Sequence, residues 1–160
     1  MPMGLLDDYS YESGSLGLGM TPRPALQHQE VMSNLVTNLN YFVYPRYKAI
    51  SEPGFYVNRQ EIVPDIGVFA TQGKTDPLQW RLVMFIEIVR TMPEEKRIRQ
   101  KVEKALQSLH VREALIYNYR KKHWVKCTEI PADQRKAKSS WSDVLQIDLE
   151  PYAERIIVRK

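Results

Sequence analysis

Two stretches of the chain are almost continuously apolar over a length too short for a helix. This is the pattern of strands buried on both faces of a sheet. The first runs Ile62-Val63-Pro64-Asp65-Ile66-Gly67-Val68-Phe69-Ala70, and the second Leu82-Val83-Met84-Phe85-Ile86-Glu87-Ile88-Val89. A different period governs the segment before them. Val31, Leu35, Leu39 and Phe42 recur at helical spacing, and Met32, Val36 and Val43 widen the stripe. That predicts a helix from about Leu26 to Val43, ended by Pro45. Pro53-Gly54 marks a turn, and Phe55-Tyr56-Val57 reads as a short strand.

Beyond the second apolar run, Pro93 with Glu94 and Glu95 opens another helix, acid-rich in its first turn as the macrodipole favours. Its apolar stripe is Ile98, Val102, Ala105, Leu106 and Leu109. Ala114 to Tyr119, a basic turn at Arg120-Lys121-Lys122, and His123 to Cys127 form a β-hairpin pattern. Residues 131–140 read as a polar loop, Val144 to Leu149 as a strand, and Pro151 to Ile157 as a short helix. The order helix, strands, helix, strands predicts an α/β fold with a mixed central β-sheet flanked by helices. Residues 1–25, rich in Gly, Ser and Pro, read as a loosely ordered segment or ribbon, and 26–160 as a single domain.

Composition adds limits. With 160 residues, 43% apolar and 26% charged, the chain can bury a real core. The net charge of +4 mildly favours a polyanionic partner. A single cysteine, Cys127, excludes an internal disulfide framework. No apolar run approaches the roughly 18 residues of a membrane span. Met1 to Tyr11 carries Asp7 and Asp8 and lacks the basic start of a signal peptide. No membrane association and a cytoplasmic residence are therefore the expectations.

The two apolar strands each hold one carboxylate, Asp65 and Glu87. An ionised carboxylate in such a run costs several kcal/mol, on the order of magnitude of buried-charge penalties, unless a cation or donors compensate it. Two of them on neighbouring strands are one way to hold a hard divalent cation. The bland alternatives are a strand-start Asp65 bonded to its own backbone, and a Glu87 facing solvent or paired with a basic side chain. The three His and lone Cys show no zinc spacing. No Gly-rich phosphate loop is present. His28, at the start of the first helix, is better suited to a structural contact than to Mg²⁺. Arg120, Lys121, Lys122 and Lys126, interleaved with His123 and Trp124, could grip a phosphate backbone or simply form a solvated hairpin turn. Arg135, Lys136 and Lys138 carry the same ambiguity.

In order along the chain stand Pro22-Arg23-Pro24-Ala25-Leu26-Gln27-His28-Gln29, Val63-Pro64-Asp65-Ile66-Gly67-Val68, Phe85-Ile86-Glu87-Ile88-Val89 and Val111-Arg112-Glu113. This ordered set resembles the bacterial Uma-type restriction endonuclease family, a branch of the PD-(D/E)XK nuclease superfamily. The resemblance implies a restriction-endonuclease-like fold and a DNA endonuclease using Mg²⁺ or Mn²⁺. It implies that Asp65 and Glu87 are metal ligands, with the Ile88 carbonyl as a third contact. The superfamily lysine two residues after the Glu is replaced by Val89, and in this branch it moves to the following helix, which leaves Lys101 and Lys104. At about 100° per residue, Lys101 lies roughly 80–90° from the centre of the apolar stripe, while Lys104 lies nearly opposite it. Lys101 is therefore the expected catalytic lysine, able to snorkel toward the carboxylates. Glu12, which matches a frequent Glu of the family's N-terminal ribbon, and Glu30 are further candidate acids.

The chain departs from the family pattern. The lysine position is held by Val102, Arg90 replaces a small Ser, and His110 replaces a Gly. The alternative is thus a catalytically degenerate relative that binds nucleic acid or a protein. DNA is the expected partner, and a homodimer is the default assembly for cutting two strands.

Overall fold

In the computed structural model, residues 26–57, 59–128 and 138–157 are described. Glu12, the 1–25 segment, Arg135 and Lys136 lie outside them. The first helix, α1, spans Leu26–Val43 as its periodicity predicts. Its buried side chains are Val31, Asn34, Leu35, Asn38 and Leu39, one continuous stripe at helical spacing.

The central sheet has five strands: β1 (Tyr47–Ser51), β4 (Ile66–Ala70), β5 (Arg81–Val89), β6 (Glu113–Asn118) and β7 (His123–Thr128), in the order β1-β4-β5-β6-β7. β5 and β6 are parallel, and the other neighbours are antiparallel. Helix α2 (Met92–Leu109) makes the crossover that a parallel pair requires. Two small ribbons complete the fold, β2 (Phe55–Val57) with β3 (Gln60–Ile62), and β8 (Trp141–Ser142) with β9 (Ile147–Asp148).

The near-continuous apolarity of β5 has its cause in the two layers. Met84, Ile86 and Ile88 pack in the α1 core with Leu35 and Leu39. Phe85 and Val89 pack in the α2 core with Val102 and Leu106. By the two-residue alternation of a strand, Glu87 projects on the α2 face between Phe85 and Val89.

Local chemistry sets the ends of these elements. Thr91 caps α2, its hydroxyl accepting the Glu94 amide at 3.2 Å. His110 closes the helix at φ 57°, a left-handed position where glycine is favoured. Along β1, Asn40 of α1 holds Ala49 by both backbone groups: its amide donates to the Ala49 carbonyl at 3.0 Å and its oxygen accepts the Ala49 N–H at 2.8 Å.

Three expectations are corrected. The run from Ile62 to Ala70 is not one strand. Ile62 ends β3, paired with Phe55, and Ile66 begins β4. Pro64 has no N–H to offer a ladder, so the chain changes sheets across Val63-Pro64-Asp65. Of the strand expected over Val144 to Leu149, only Ile147 and Asp148 are paired. The buried Glu113 carboxylate takes the Ser142 hydroxyl and the Asp143 amide, each at 2.7 Å, and bends the chain there. The helix expected over Pro151 to Ile157 is a single 3-10 turn, Glu150–Tyr152. The following backbone goes instead to the asparagines of α1. Asn38 donates to the carbonyls of Tyr152 (2.9 Å) and Arg155 (2.8 Å) and accepts from Ile157 (2.7 Å), while Asn34 donates to Ala153 (3.0 Å). The sequence reading assigned no element to residues 47–51, which form β1.

Candidate functional site

Register brings the two carboxylates together. Ile66 pairs with Ile86 in the antiparallel β4–β5 ladder. One residue further, Asp65 comes beside Glu87. Because the ladder stops at Ile66, the Asp65 amide turns to Glu87 and donates to its Oε1 at 3.3 Å. In return the Ile88 amide donates to Asp65 Oδ2 at 2.7 Å. His28 Nε2, at the start of α1, lies 3.4 Å from the same Asp65 oxygen. Its Nδ1 is buried and has no hydrogen-bond partner among the described residues.

These groups line a cavity of about 560 Å³. One wall is the β3 end of the β2–β3 hairpin and the turn after it, with Glu61, Ile62, Val63 and Pro64. The opposite wall is α2, with Glu94, Ile98, Lys101, Val102, Lys104, Ala105 and Ser108. Residues 94, 98, 101, 105 and 108 form one helical stripe, and at 100° per residue Lys101 stands at its centre with Lys104 at the margin. Lys104 therefore does not point away from the site, as the wheel drawn on the apolar residues had it. The cavity stripe lies beside the core stripe, and its flank includes both lysines.

Electrostatics mark Glu87. Burial pushes its pKa well above the usual carboxylate range, and the charge of Asp65 and a hydrogen bond between the two carboxyls push the same way. The Asp65 amide and the positive charge of Lys101 pull against this without reversing it. For His28, burial favours the neutral ring. The hydrogen bond to Asp65 and the charges of Asp65, Glu94 and Glu52 outweigh it, and the pKa is raised.

The other sequence candidates lie elsewhere. Glu30 is exposed on α1 and is not part of the cavity lining. Arg120, Lys121 and Lys122 are exposed in the β6–β7 turn. That turn is fixed by Asn118, whose side-chain oxygen accepts the amides of Arg120 and Lys121 at 3.2 and 3.1 Å. Lys122 pairs with Glu154, and Lys126, largely buried, pairs with Asp143, both at 3.0 Å. These two charges join the hairpin to the C-terminal segment. His123 Nε2 lies 2.7 Å from the buried Glu95. Among the described residues no group of three or more His, Cys, Asp or Glu side chains converges as a metal cluster.

Sequence reasoning passed over Glu61 and Glu94 as site residues. Glu61 gave no signal. Glu94 carried one: Thr91-x-x-Glu94 is a capping-box spacing. Its carboxylate accepts the Arg90 amide at 2.7 Å, which holds it at the helix start beside the cavity.

No protein-family model matches the chain. No curated protein matches it either. Among solved structures it is similar to the crystal structure of a protein from Anabaena variabilis ATCC 29413, described as "a putative nuclease belonging to DUF820". The match has a TM-score of 0.56 at 16% identity and covers 71% of this chain and 69% of that one. At that identity the likeness is one of fold: a mixed central sheet with two helices. Among the described residues no helix is long and apolar enough to cross a membrane.

Proposed function

We propose that the protein is a Mg²⁺- or Mn²⁺-dependent endonuclease that hydrolyses DNA phosphodiester bonds, a distant member of the Uma-type branch of the PD-(D/E)XK nucleases. The observation that carries this reading is the Asp65–Glu87 pair, two neighbouring carboxylates each held by a backbone amide in a cavity whose facing helix stripe centres on Lys101. The fold shared with the Anabaena protein supports it.

The donor chemistry fits the cation. Mg²⁺ takes oxygen ligands, commonly one or two carboxylates with the remaining positions left to water and substrate phosphate. Asp65 and Glu87 would supply those carboxylates. Burial first and the charge of Asp65 second raise the pKa of Glu87, and a cation held between the two carboxylates would oppose both effects. When bound, the cation supplies a Lewis acid that activates water and polarises a phosphoryl oxygen.

The chain's own groups have definite tasks. The Ile88 amide and His28 hold Asp65 in one orientation. Lys101 places a positive charge where negative charge would grow on a phosphate facing the pair. Glu30 and the basic β6–β7 turn have no part in the chemistry of this cavity. Arg120 and Lys121, rigidly presented on the turn, are suited to a phosphate backbone contact outside it.

The test is nicking of supercoiled plasmid with Mg²⁺ or Mn²⁺, beside Asp65→Ala and Glu87→Ala. Metal-dependent cutting lost in both variants is the expected result. No cutting by the wild-type protein, with nucleic-acid binding retained, would favour the degenerate binding module.

A further inference from the structure

The cavity has two unlike walls. The α2 wall presents Lys101 and Lys104. The hairpin wall presents Glu61, and across the ladder Glu61 pairs directly with Tyr56. Directly paired residues of an antiparallel ribbon project on the same face, their Cβ atoms roughly 5 Å apart. Tyr56 thus stands beside a residue of the cavity lining, at its rim. Its side chain is 76% exposed.

The support beneath it is firm. Phe55, on the other face of the ribbon, stacks on Phe69 of β4 with ring centroids 6.0 Å apart. Pro53 closes so tightly on Gly67 that a Cβ there would lie 2.8 Å from the proline ring. The hairpin is fastened to the sheet through one face, while Tyr56 on the other adds nothing to the core. At the turn of the same hairpin, Arg59 is exposed.

An open aromatic ring beside the hairpin wall and ammonium groups on the α2 wall match a polynucleotide strand running from one to the other. Its phosphates would face the lysines, and a base would turn to the ring. Base–aromatic stacking is tolerant of sequence because every base has a π face. Bases inside a duplex are stacked and paired, and reaching one requires unpairing it. Resting on the phosphodiesterase reading above, we infer that the substrate strand is held single-stranded or locally unpaired, with one base stacked on Tyr56 beside the phosphate that faces Asp65, Glu87 and Lys101. Tyr56 binds substrate and stands apart from the reacting atoms.

The test uses the full chain, a fluorescent single-stranded oligonucleotide, and the same sequence as a duplex. Ca²⁺ replaces Mg²⁺ for binding, and cleavage is then followed with Mg²⁺. Tyr56→Ala is expected to raise the single-strand Kd and KM about tenfold, the loss of one stack, with kcat preserved and duplex affinity unmoved. Tyr56→Phe, which keeps the ring, stays within about twofold of wild type. Unchanged melting temperatures check that both variants fold. The inference is overturned if Tyr56→Ala binds the single strand as wild type does, if Tyr56→Phe loses as much as Tyr56→Ala, or if the wild-type protein prefers the duplex. If the protein cuts but Tyr56 is immaterial, this inference alone falls. If it neither binds nor cuts nucleic acid, the phosphodiesterase reading falls with it.

Discussion

Replacing Glu87 by glutamine removes one ionisable group from the carboxyl pair and keeps the oxygen that accepts the Asp65 amide. Without metal, this change is expected to stabilise the protein above neutral pH. The folded chain holds the Glu87 proton more tightly than the unfolded chain does, because of burial first and the neighbouring Asp65 second. For a group raised in this way, the stabilisation is complete below the ordinary glutamate value of about 4.3 and is lost as pH rises through the raised folded value. Each tenfold difference in proton affinity between the two states corresponds to about 1.4 kcal/mol. For a domain of this size, 1 kcal/mol moves Tm by roughly 2–4 °C. Glu87→Gln should therefore melt with the wild type at pH 4. In EDTA at pH 8 it should melt above it, by roughly 3–6 °C for every such tenfold factor. If the pair holds a divalent cation as proposed, adding the cation should reverse the order: at a hundred times Kd it should stabilise the wild type by about 2.7 kcal/mol, or roughly 5–11 °C, and do little for the variant. Scanning calorimetry across pH, with EDTA and with Mg²⁺, reads both effects. A variant that melts below the wild type in EDTA at pH 8 would refute the reasoning, since Glu87 would then be a net stabilising acceptor and not one of a repelling pair.

Other expectations can be checked alongside. Lys101→Ala should slow plasmid nicking by about a hundredfold, as loss of one charge-stabilising donor does, and Lys104→Ala should slow it less, with each weakening oligonucleotide binding and its salt dependence as the loss of one phosphate contact does. Asn38→Ala removes its hydrogen bonds to the carbonyls of Tyr152 and Arg155 and from the Ile157 amide. At about 1 kcal/mol per bond it should cost roughly 3 kcal/mol in urea denaturation. Glu113→Ala removes the acceptor for Ser142 and Asp143. It should lower stability by about 2–4 kcal/mol and abolish hydrogen-exchange protection of the Asp143 amide.

The core-forming elements were legible because each is written in a repeating pattern. The α1 stripe, the α2 stripe and the β6–β7 hairpin stand where periodicity and turn residues place them. What failed to show were contacts between distant segments. Nothing in the sequence around Pro151 to Ile157 says that Asn34 and Asn38 will take its carbonyls. Glu113, which the sequence offers only as the end of Val111-Arg112-Glu113, is a fully buried acceptor that redirects residues 142–144. At the site, Asp65 and Glu87 were visible as charges out of place in apolar runs. Lys104 was misplaced because a helical wheel built on apolar residues locates the core and not a cavity beside it. Glu61 was invisible because its relevance depends on a ribbon outside the main sheet.

The double bond from Asn40 to Ala49 bears on how copies of this protein can meet. Among the described residues β1 is an edge, and an uncovered edge is a template for strand addition by another chain. In an antiparallel pair only alternate residues turn their backbone groups outward. With Ala49 turned out, Tyr47 and Ser51 are the only others that this five-residue strand can offer. The amide of Asn40 sits on the middle position and mimics the strand that would otherwise dock there. No two successive outward positions remain free, so β1 cannot seed a ladder. Loss of that one side chain would turn a closed edge into a site for domain swapping or fibrillar assembly, with the Asp65–Glu87 cavity untouched.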